Sequence, residues 1–355
     1  MTWLFGFDTA HAMTRLASLL KETVRSLELD LSDKIVITEA ASGPYAVTPI
    51  LAAIAGAQVF AFGRDSDYGT FEEVAGQIES LLGHLGNTRV TLIDELEPDL
   101  LSRADIITNS GHLRPINRDM LRYVNETCVI PLMYEKWEFR QQDIDLPFCN
   151  SRGIRVGGTN ERHPRIGVFD YLGDMAIKLI FDAGLCLRGN RFVVVANNDF
   201  GPYVAHGLAR MAGRVGVIGS PEDRSRYDST VDWLADFPTI DVPAAYRDAS
   251  AVLFTAYPFD TEWIGDGTAI AVQDLQQQFA HPFVLRFAGD IRVADLDAHG
   301  IAYHPRHVKS GHMGILPSDI GPDPVVRLQA GGLKAAQLLM EGETDYEGHE
   351  LVQVL

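Results

Sequence analysis

The sequence is long enough for two domains and has the composition of an ordinary globular protein. It has 355 residues, of which 46% are hydrophobic and 22% are charged, and a chain of this length can bury two separate cores. The formal net charge of −18 argues against nucleic acid or an anionic membrane, because their phosphates would be repelled. We therefore expect a small-molecule substrate, no nucleic-acid partner and no membrane partner.

The cysteines and the first residues bear on the cellular compartment. Cys128, Cys149 and Cys186 are odd in number and have no metal-ligand spacing, so we expect reduced thiols rather than a disulfide framework or a zinc finger. The opening MTWLFGFDTAHAM lacks a basic leader and carries Asp8, which is not the pattern of a secretory signal. These features predict a cytoplasmic protein.

Strands alternate with helices along the first half of the chain. The predicted elements are a helix within 11–30, a strand over 34–40, a helix over 47–57, a strand over 58–63, a helix over 70–83, strands over 89–94 and 104–110, a helix over 118–124, and strands over 128–133 and 153–160. Alternation at this spacing predicts a mostly parallel sheet. The turn at Ser42, Gly43 and Pro44 either binds a phosphate or only forms the corner between strand and helix, and the residues leave both possibilities open.

The second half shows the same alternation. The predicted elements are a helix over 168–183, a strand over 192–196, a polar turn with a helix, a strand over 214–218, a helix near 229–237, strands over 251–257, 282–289 and 301–305, and a final helix over 325–340. The predicted fold class is α/β, with two doubly wound parallel-sheet (Rossmann-like) domains separated by a cleft and linked by long helices. We expect residues 1–165 plus 313–355 to form a substrate or catalytic domain, and residues 166–312 to form a nucleotide-binding domain.

The turn after the 192–196 strand is the candidate cofactor site. A dinucleotide fingerprint would place glycines at 196, 198 and 201, and only Gly201 is present. Asparagine tolerates left-handed backbone geometry and can partly replace a glycine, but its side chain fills space that a pyrophosphate needs. The candidate cofactor-binding residues are Asn197, Asn198, Asp199, Phe200, Gly201 and Ser220, with NAD or NADP as the cofactor.

Three polar loops follow strands of the first half and are candidate substrate-binding segments, because ligands bind at the carboxyl ends of parallel strands. Each loop has a plainer interpretation as a solvated turn, a half-exposed strand or a polar hinge. The candidate residues are Asn109, Ser110, Gly111 and His112 (with Arg114 nearby), then Glu135, Trp137 and Glu138, and then Asn160, Glu161, Arg162 and His163.

The order of elements resembles the D-2-hydroxyacid dehydrogenases, the formate/glycerate dehydrogenase-like family. The resemblance is carried by ADIITNSGHLRPINRDML (104–121), by VIPLMYEKWEFRQQDIDLPFCNSRGIRVGGTN (129–160) and by LRGNRFVVVANNDFG (187–201). The final AGGLKAAQLLMEGE (330–343) resembles that family's closing helix. Adenosylhomocysteine hydrolase has the same two-domain plan. The resemblance implies a homodimer and a nicotinamide cofactor.

The resemblance also implies catalytic residues. His312 lies in the loop before the closing helix and matches the family's catalytic histidine, while Arg286 lies on a strand that resembles the arginine-bearing strand. Histidine suits proton exchange near neutral pH, and arginine can hold a carboxylate with two hydrogen bonds. Both residues also fit surface or capping roles. His304, His307 and His312 have no paired spacing on one helix, so no metal is predicted.

Two hypotheses follow from the sequence. The first is an NAD(P)-dependent oxidoreductase that acts on a small polar, carboxylate-bearing metabolite, with His312 exchanging the hydroxyl proton. The second keeps the two-domain fold and drops redox chemistry, which leaves a non-redox enzyme or a ligand-binding protein with a lost or altered dinucleotide site. The 196–201 turn distinguishes them, because it determines whether a dinucleotide can bind.

Overall fold

The structure is a computed structural model that describes residues 10–66, 69–86 and 90–355. The chain forms two compact units. The first unit contains Met1–Val168 and Gly321–Leu355, and the second contains Phe169–Ile320. Arg89, where the third predicted strand was expected to begin, lies outside the described residues.

The first unit is built on a seven-stranded sheet. The strands are β1 (Ile35–Glu39), β2 (Gln58–Phe62), β3 (Val90–Ile93), β4 (Ile106–Ile107), β5 (Val129–Pro131), β6 (Arg155–Thr159) and β17 (Val352–Val354), with a separate two-stranded hairpin of β15 (Asp345–Tyr346) and β16 (His349–Glu350). The strand order in the sheet is β17-β6-β5-β4-β1-β2-β3. All neighbouring strands are parallel except β17, which pairs antiparallel with β6 at one edge.

Helices cover both faces of this sheet, so successive residues of its central strands enter different cores. The helices are α1 (Ala10–Ser26), α2 (Val47–Ile54), α3 (Phe71–Leu85), α4 (Pro98–Arg103), α5 (Arg118–Leu121), α6 (Leu146–Arg152) and α11 (Asp323–Glu341). Val36 of β1 packs in the core with α1, α2, α3 and α11, and Ile37 packs in the core with α4, α5 and α6. A strand that is buried on both faces has a continuous apolar run, as parallel strands do.

The second unit is built on a six-stranded parallel sheet. Its elements are α7 (Leu172–Asp182), β7 (Arg191–Ala196), α8 (Phe200–Ala209), β8 (Arg214–Gly219), β9 (Asp232–Asp236), β10 (Ala251–Thr255), β11 (Glu262–Ile264), α9 (Val272–Gln278), β12 (Phe283–Ala288), β13 (Asp290–Ile291), α10 (Val293–Ala298) and β14 (Ala302–His304). The strand order in the sheet is β14-β12-β10-β7-β8-β9. Numbered within the unit, this is the 3-2-1-4-5-6 order of the dinucleotide-binding fold, and the predicted α/β class with two Rossmann-like sheets is confirmed.

One predicted element has the wrong type. The segment near 229–237 was predicted to be a helix, but Asp232–Asp236 is the edge strand β9, which pairs in parallel with β8. Trp233 and Leu234 of this strand are half-buried. An isolated helix of this length is unstable in water, and the neighbouring strand supplies ladder hydrogen bonds instead. Tertiary pairing therefore decided the structure of this segment.

Helices α7 and α8 of the second unit meet at two glycines. A Cβ atom added to Gly207 would lie 2.3 Å from the Cα atom of Gly173, and one added to Gly173 would lie 2.8 Å from the Cα atom of Gly207. Only hydrogen atoms fit between the two backbones at this crossing. Within the described residues, every helix is too short or too polar to span a bilayer.

Candidate functional site

Each sheet reverses its strand order at one point, and ligands of open α/β sheets bind outside the carboxyl ends of the strands there. In the first unit the reversal lies between β1 and β4, and in the second it lies between β7 and β10. The loops that leave β1, β4, β5 and β6 therefore form the candidate edge of the first unit. The loops that leave β7, β8, β10 and β12 form the candidate edge of the second.

Glu135 is the centre of a buried cluster at the ends of β5 and β6. Its carboxylate is fully buried and accepts hydrogen bonds from Nη1 of Arg162 at 3.1 and 3.0 Å. It also accepts hydrogen bonds from Nε1 of Trp137 at 2.6 Å and from the backbone N–H of Glu161 at 3.0 Å. The structure thus brings together two loops that the sequence analysis treated as separate candidates.

A glycine of β6 allows this loop to cross the strand. A Cβ atom at Gly158 would lie 2.6 Å from the backbone nitrogen of Lys136 and 3.1 Å from the carbonyl carbon of Glu135. Because glycine has no Cβ atom, the segment after β5 can lie directly on β6. This close approach places the Glu135 carboxylate beside the loop that carries Arg162.

Two further carboxyl groups lie close enough to Glu135 to interact with its charge. Burial, with the nearby Glu135 charge, raises the pKa of Glu138 to about 7. Burial also raises the pKa of Glu161 well above its usual value, and the Glu138 and Glu135 charges add to that rise. A protonated carboxyl group beside a paired carboxylate is the arrangement by which proteins assign acid and base roles to neighbouring acids.

Asn109 belongs to a second network at the same edge. It is fully buried, and its Nδ2 donates to the hydroxyl of Tyr134 at 2.7 Å while its Oδ1 accepts from Nε of Arg114 at 2.9 Å. The Tyr134 hydroxyl donates to Asp143 at 3.1 Å, and Arg140 donates to the same carboxylate oxygen at 2.8 Å. Burial raises the pKa of Tyr134 to about 12. This network rigidly supports the loop that follows β4.

His112 and Glu39 lie together at the strand reversal between β1 and β4. Oε1 of Glu39 accepts a hydrogen bond from the backbone N–H of His112 at 3.1 Å, and Nε2 of His112 lies 3.9 Å from the same oxygen. The backbone N–H of Arg64 donates to Nδ1 of His112 at 3.0 Å, which leaves the proton of a neutral ring on Nε2.

A Cβ atom at Gly111 would lie 2.1 Å from Glu39 Oε1, so the close approach of this loop to Glu39 requires glycine. Ser110 shares a hydrogen bond with Thr108 at 2.7 Å.

Asn160 and His163 serve the fold of the first unit. Nδ2 of Asn160 donates to the carbonyl of Glu350 at 2.8 Å. The His163 ring is buried, stacks on Tyr346 and lies 2.9 Å from the Tyr346 carbonyl. The backbone N–H of Arg165 donates to its Nδ1 at 3.1 Å. Both side chains contact the C-terminal hairpin of β15 and β16.

Arg286 of the second unit is buried and forms an ion pair with Asp290. Its Nε has no hydrogen-bond partner within the described part of the chain. Asp290 also accepts hydrogen bonds from Ser310 and from the backbone N–H of Gly311. The structure therefore places the Arg286–Asp290 pair beside the loop that carries His312, whose own side chain is exposed.

Asn197 and Asn198 join the loops that leave β7 and β10. Asn197 exchanges two hydrogen bonds with the backbone of Tyr257, donating to its carbonyl at 3.1 Å and accepting from its N–H at 2.8 Å. Asn198 lies in hydrogen-bond contact with Thr255, with its Nδ2 3.1 Å from Oγ1. Oδ1 of Asn198 also accepts from the backbone N–H of Phe200, the first residue of α8, at 3.2 Å.

Carboxylates surround the start of α8. Asp199 forms an ion pair with Arg226, which also donates to Asp223 at 2.9 Å. A Cβ atom at Gly201 would lie 2.4 Å from the Tyr227 hydroxyl, so that hydroxyl occupies the space beside the remaining glycine of the fingerprint. Ser220 is half-buried and precedes the 3₁₀ turn Pro221–Arg226 that follows β8. These residues do not fit a dinucleotide. Protein groups fill the space and accept the hydrogen bond from the helix amide that a pyrophosphate would use, and the nearby carboxylates repel its negative charge.

No group of three or more histidine, cysteine, aspartate or glutamate side chains within 10–66, 69–86 and 90–355 is arranged to hold a metal ion. His304 is half-buried, and His307 and His312 are exposed.

Comparison with solved structures identifies the fold. A dipicolinate synthase structure from Bacillus halodurans is similar with a TM-score of 0.57 at 14% identity, covering 87% of this chain and 99% of that one. The dipicolinate synthase structure from Bacillus subtilis gives 0.59 at 13% identity, covering 89% and 99%. NAD-dependent formate dehydrogenase from Staphylococcus aureus, in complex with NAD, gives 0.50 at 12% identity, covering 89% and 99%. The chain therefore shares the fold of these dipicolinate synthase and formate dehydrogenase structures, and the resemblance is confirmed at the level of the fold.

No protein-family model matches the sequence, and no curated protein matches it. The function therefore has to be argued from the residues themselves. Sequence reasoning missed Glu39, Asp143 and Arg226, which complete the networks around predicted residues. Glu39 had a usable signal, because it ends a predicted strand beside the strand reversal. Asp143 lies in a loop, and only the folded structure brings it to Tyr134.

Proposed function

We propose that the protein is an enzyme that moves protons on a small polar metabolite at the carboxyl-terminal edge of the first unit's sheet. The observation that supports the proposal is the placement of the Glu138 and Glu161 carboxyl groups beside the Glu135 carboxylate that Arg162 binds. Glu135 accepts both hydrogen bonds from Nη1 of Arg162, while Glu138 and Glu161 are disfavoured as carboxylates by burial and by the neighbouring carboxylate charges. Perturbed carboxyl groups at a strand-end edge are typical of catalytic sites.

Glu138 is the proposed acid and base group. Its pKa of about 7 lies near the pH at which the protein is expected to work, so the group is both protonated and ionised in comparable amounts. A proton donor or acceptor is most effective when its pKa is close to the operating pH. Glu161 would hold a proton beside it, and the Arg162–Glu135 pair would fix the geometry of both.

The arginines at this edge do not favour a carboxylate-bearing substrate. Oδ2 of Asp143 lies 3.6 Å from Nε of Arg114 and 2.8 Å from Nη2 of Arg140. Arg162 forms an ion pair with Glu135. Because each guanidinium already contacts a carboxylate, a second anion would compete for it. We propose a neutral or positively charged metabolite that is recognised by hydrogen bonds.

The test begins with a thermal-shift screen of neutral and cationic polar metabolites against the whole protein. Compounds that bind are then incubated with the wild-type protein, Glu138→Gln and Glu126→Gln, and product formation is followed by mass spectrometry. Glu126 is an exposed glutamate of the same unit and serves as the matched control. We expect Glu138→Gln to bind the compound and to turn it over at least about 100-fold more slowly. Equal turnover by all three proteins would exclude the proposed role of Glu138.

An NAD(P)-dependent oxidoreductase is the second candidate function. It is supported by the fold, since one similar structure is an NAD complex, and by the strand order of the second unit. The residues at the start of α8 argue against this candidate function, because they do not fit a dinucleotide. In this candidate function, His312 would exchange the substrate proton, and His312→Ala would lose turnover while keeping substrate affinity. Reduction of NAD or NADP by a bound metabolite would favour this candidate over the first.

A further inference from the structure

We infer that the strand reversal of the second unit is closed by the protein's own asparagine side chains and binds no dinucleotide. This inference concerns a different unit from the proposed function and stands independently of it. It rests on hydrogen bonds, close approach and charge around the start of α8.

Side-chain hydrogen bonds cross the strand reversal between β7 and β10. A bound dinucleotide crosses the carboxyl edge of the sheet where the strand order reverses. Here Asn197 makes a two-way hydrogen bond with the backbone of Tyr257, at 3.1 and 2.8 Å, much as a neighbouring strand would. Asn198 contacts the Thr255 hydroxyl at 3.1 Å. These contacts join the loop after β7 to the end of β10 and to the loop that follows it, across the edge where a dinucleotide would lie.

The first amides of α8 already have hydrogen-bond acceptors within the protein. In dinucleotide-binding folds the pyrophosphate accepts hydrogen bonds from the first amides of the helix. In this protein the side chain of Asn198 accepts the hydrogen bond from the Phe200 N–H at 3.2 Å, and the Asn198 carbonyl accepts from the Gly201 N–H at 3.1 Å. The chain therefore satisfies its own helix start, as an N-cap does.

Charge and space at the start of α8 also disfavour a pyrophosphate. Asp199 and Asp223 contribute two negative charges at the start of α8, and Arg226, which contacts both, contributes one positive charge. An incoming pyrophosphate would meet a net negative cluster. The space beside Gly201 is filled by protein, because an added Cβ atom would lie 2.4 Å from the Tyr227 hydroxyl and 2.7 Å from Cβ of Ala196; this glycine allows α8 to pack closely on β7 and does not by itself indicate a phosphate site.

The experiment combines a binding measurement with a stability measurement on the full chain. NADH and NADPH are titrated into the wild-type protein, and ligand fluorescence and calorimetry report binding. The thermal midpoint is compared for the wild-type protein, Asn197→Ala, Asn198→Ala and Gln277→Ala, where Gln277 is an exposed residue of α9 and serves as the control. We expect no binding up to about 1 mM and a midpoint about 2–4 °C lower in both asparagine variants, because Tyr257 and Phe200 lose hydrogen-bond partners.

Two results would overturn the inference. The first is saturable binding of NADH or NADPH to the wild-type protein with an affinity that changes in Asn198→Ala, which would place the ligand at this crevice. The second is a set of asparagine variants that unfold at the wild-type midpoint, which would show that the side chains do not bind the two loops together. Absence of binding together with lower midpoints supports the inference.

Discussion

The Arg162 guanidinium lies against both carboxylate oxygens of Glu135, at 3.1 and 3.0 Å, and the glutamate is fully buried. A buried carboxylate needs a compensating charge and hydrogen bonds, since removal from water is costly. This ion pair therefore holds the ends of β5 and β6 together, and it fixes the position around which Glu138 and Glu161 are arranged.

Loss of the guanidinium should destabilise the first unit strongly. Arg162→Ala leaves the Glu135 charge buried, and we expect the free energy of unfolding to fall by on the order of 3 kcal/mol. Urea denaturation measures the change. Arg122→Ala is the matched control, because Arg122 pairs with Asp119 at 3.5 Å on the exposed surface and should cost less than about 1 kcal/mol. Equal stabilities for the two variants would contradict the role of the buried pair.

Stability should depend on pH through Glu138. Its pKa in the folded protein is raised to about 7 from an ordinary value of 4.5, so the folded state binds more protons than the unfolded state between these values. The contribution of this group to stability is therefore full below about pH 4.5 and is lost as the pH rises through about 7. Glu138→Gln should remove this part of the dependence in urea titrations at several pH values. An unchanged slope in the variant would show that the carboxyl group ionises normally.

Cysteine alkylation should be selective. Cys186 is exposed, and Cys128 and Cys149 are buried. Burial raises the pKa of the Cys149 thiol to about 12 and raises that of Cys128 further, so neither forms the reactive thiolate at neutral pH. Iodoacetamide should label Cys186 in the native protein and all three thiols in urea, as read by peptide mass spectrometry. Rapid native labelling of Cys128 would contradict its burial.

The glycine crossing of α7 and α8 should tolerate no methyl group. Gly207→Ala places a Cβ atom 2.3 Å from the Gly173 backbone, which cannot give way as a flexible side chain would. We expect a loss of about 1–3 kcal/mol in the free energy of unfolding. Gly76→Ala is the control, because nothing lies within 4 Å of its added Cβ atom in α3 and alanine favours the helix by about 0.5–1 kcal/mol. A neutral Gly207→Ala would show that the helices can separate.

The alternation of strands and helices was readable from the sequence because parallel strands are buried and strongly apolar. Phe192–Ala196 was predicted and β7 spans Arg191–Ala196. Short elements were missed, including α6 and α9, because six or seven residues do not show a helical period. Strand β17 was missed because its place at the sheet edge depends on pairing with β6, nearly two hundred residues earlier.

The residues of the Glu135 cluster could be picked out from the sequence only in part. The segments around Glu135 and Glu161 were both predicted as candidates, because each follows an apolar strand. The contact between these two segments was not predictable. It depends on β5 and β6 being neighbours and on Gly158, which lets the loop after β5 lie on β6. His163 shows the converse case, in which a polar residue of a candidate loop is buried against Tyr346 and supports the fold. Residue type and position alone do not separate these two outcomes.

The most direct test of a proton-holding carboxyl group at the first unit's edge is a ¹³C NMR titration of glutamate side-chain carboxyl groups, with Glu138→Gln to assign the signal. We expect the Glu138 signal to titrate with a pKa of about 7, well separated from the signals of the exposed glutamates. A Glu138 signal that titrates together with the exposed glutamates, near the ordinary value of 4.5, would contradict the proposed acid and base role.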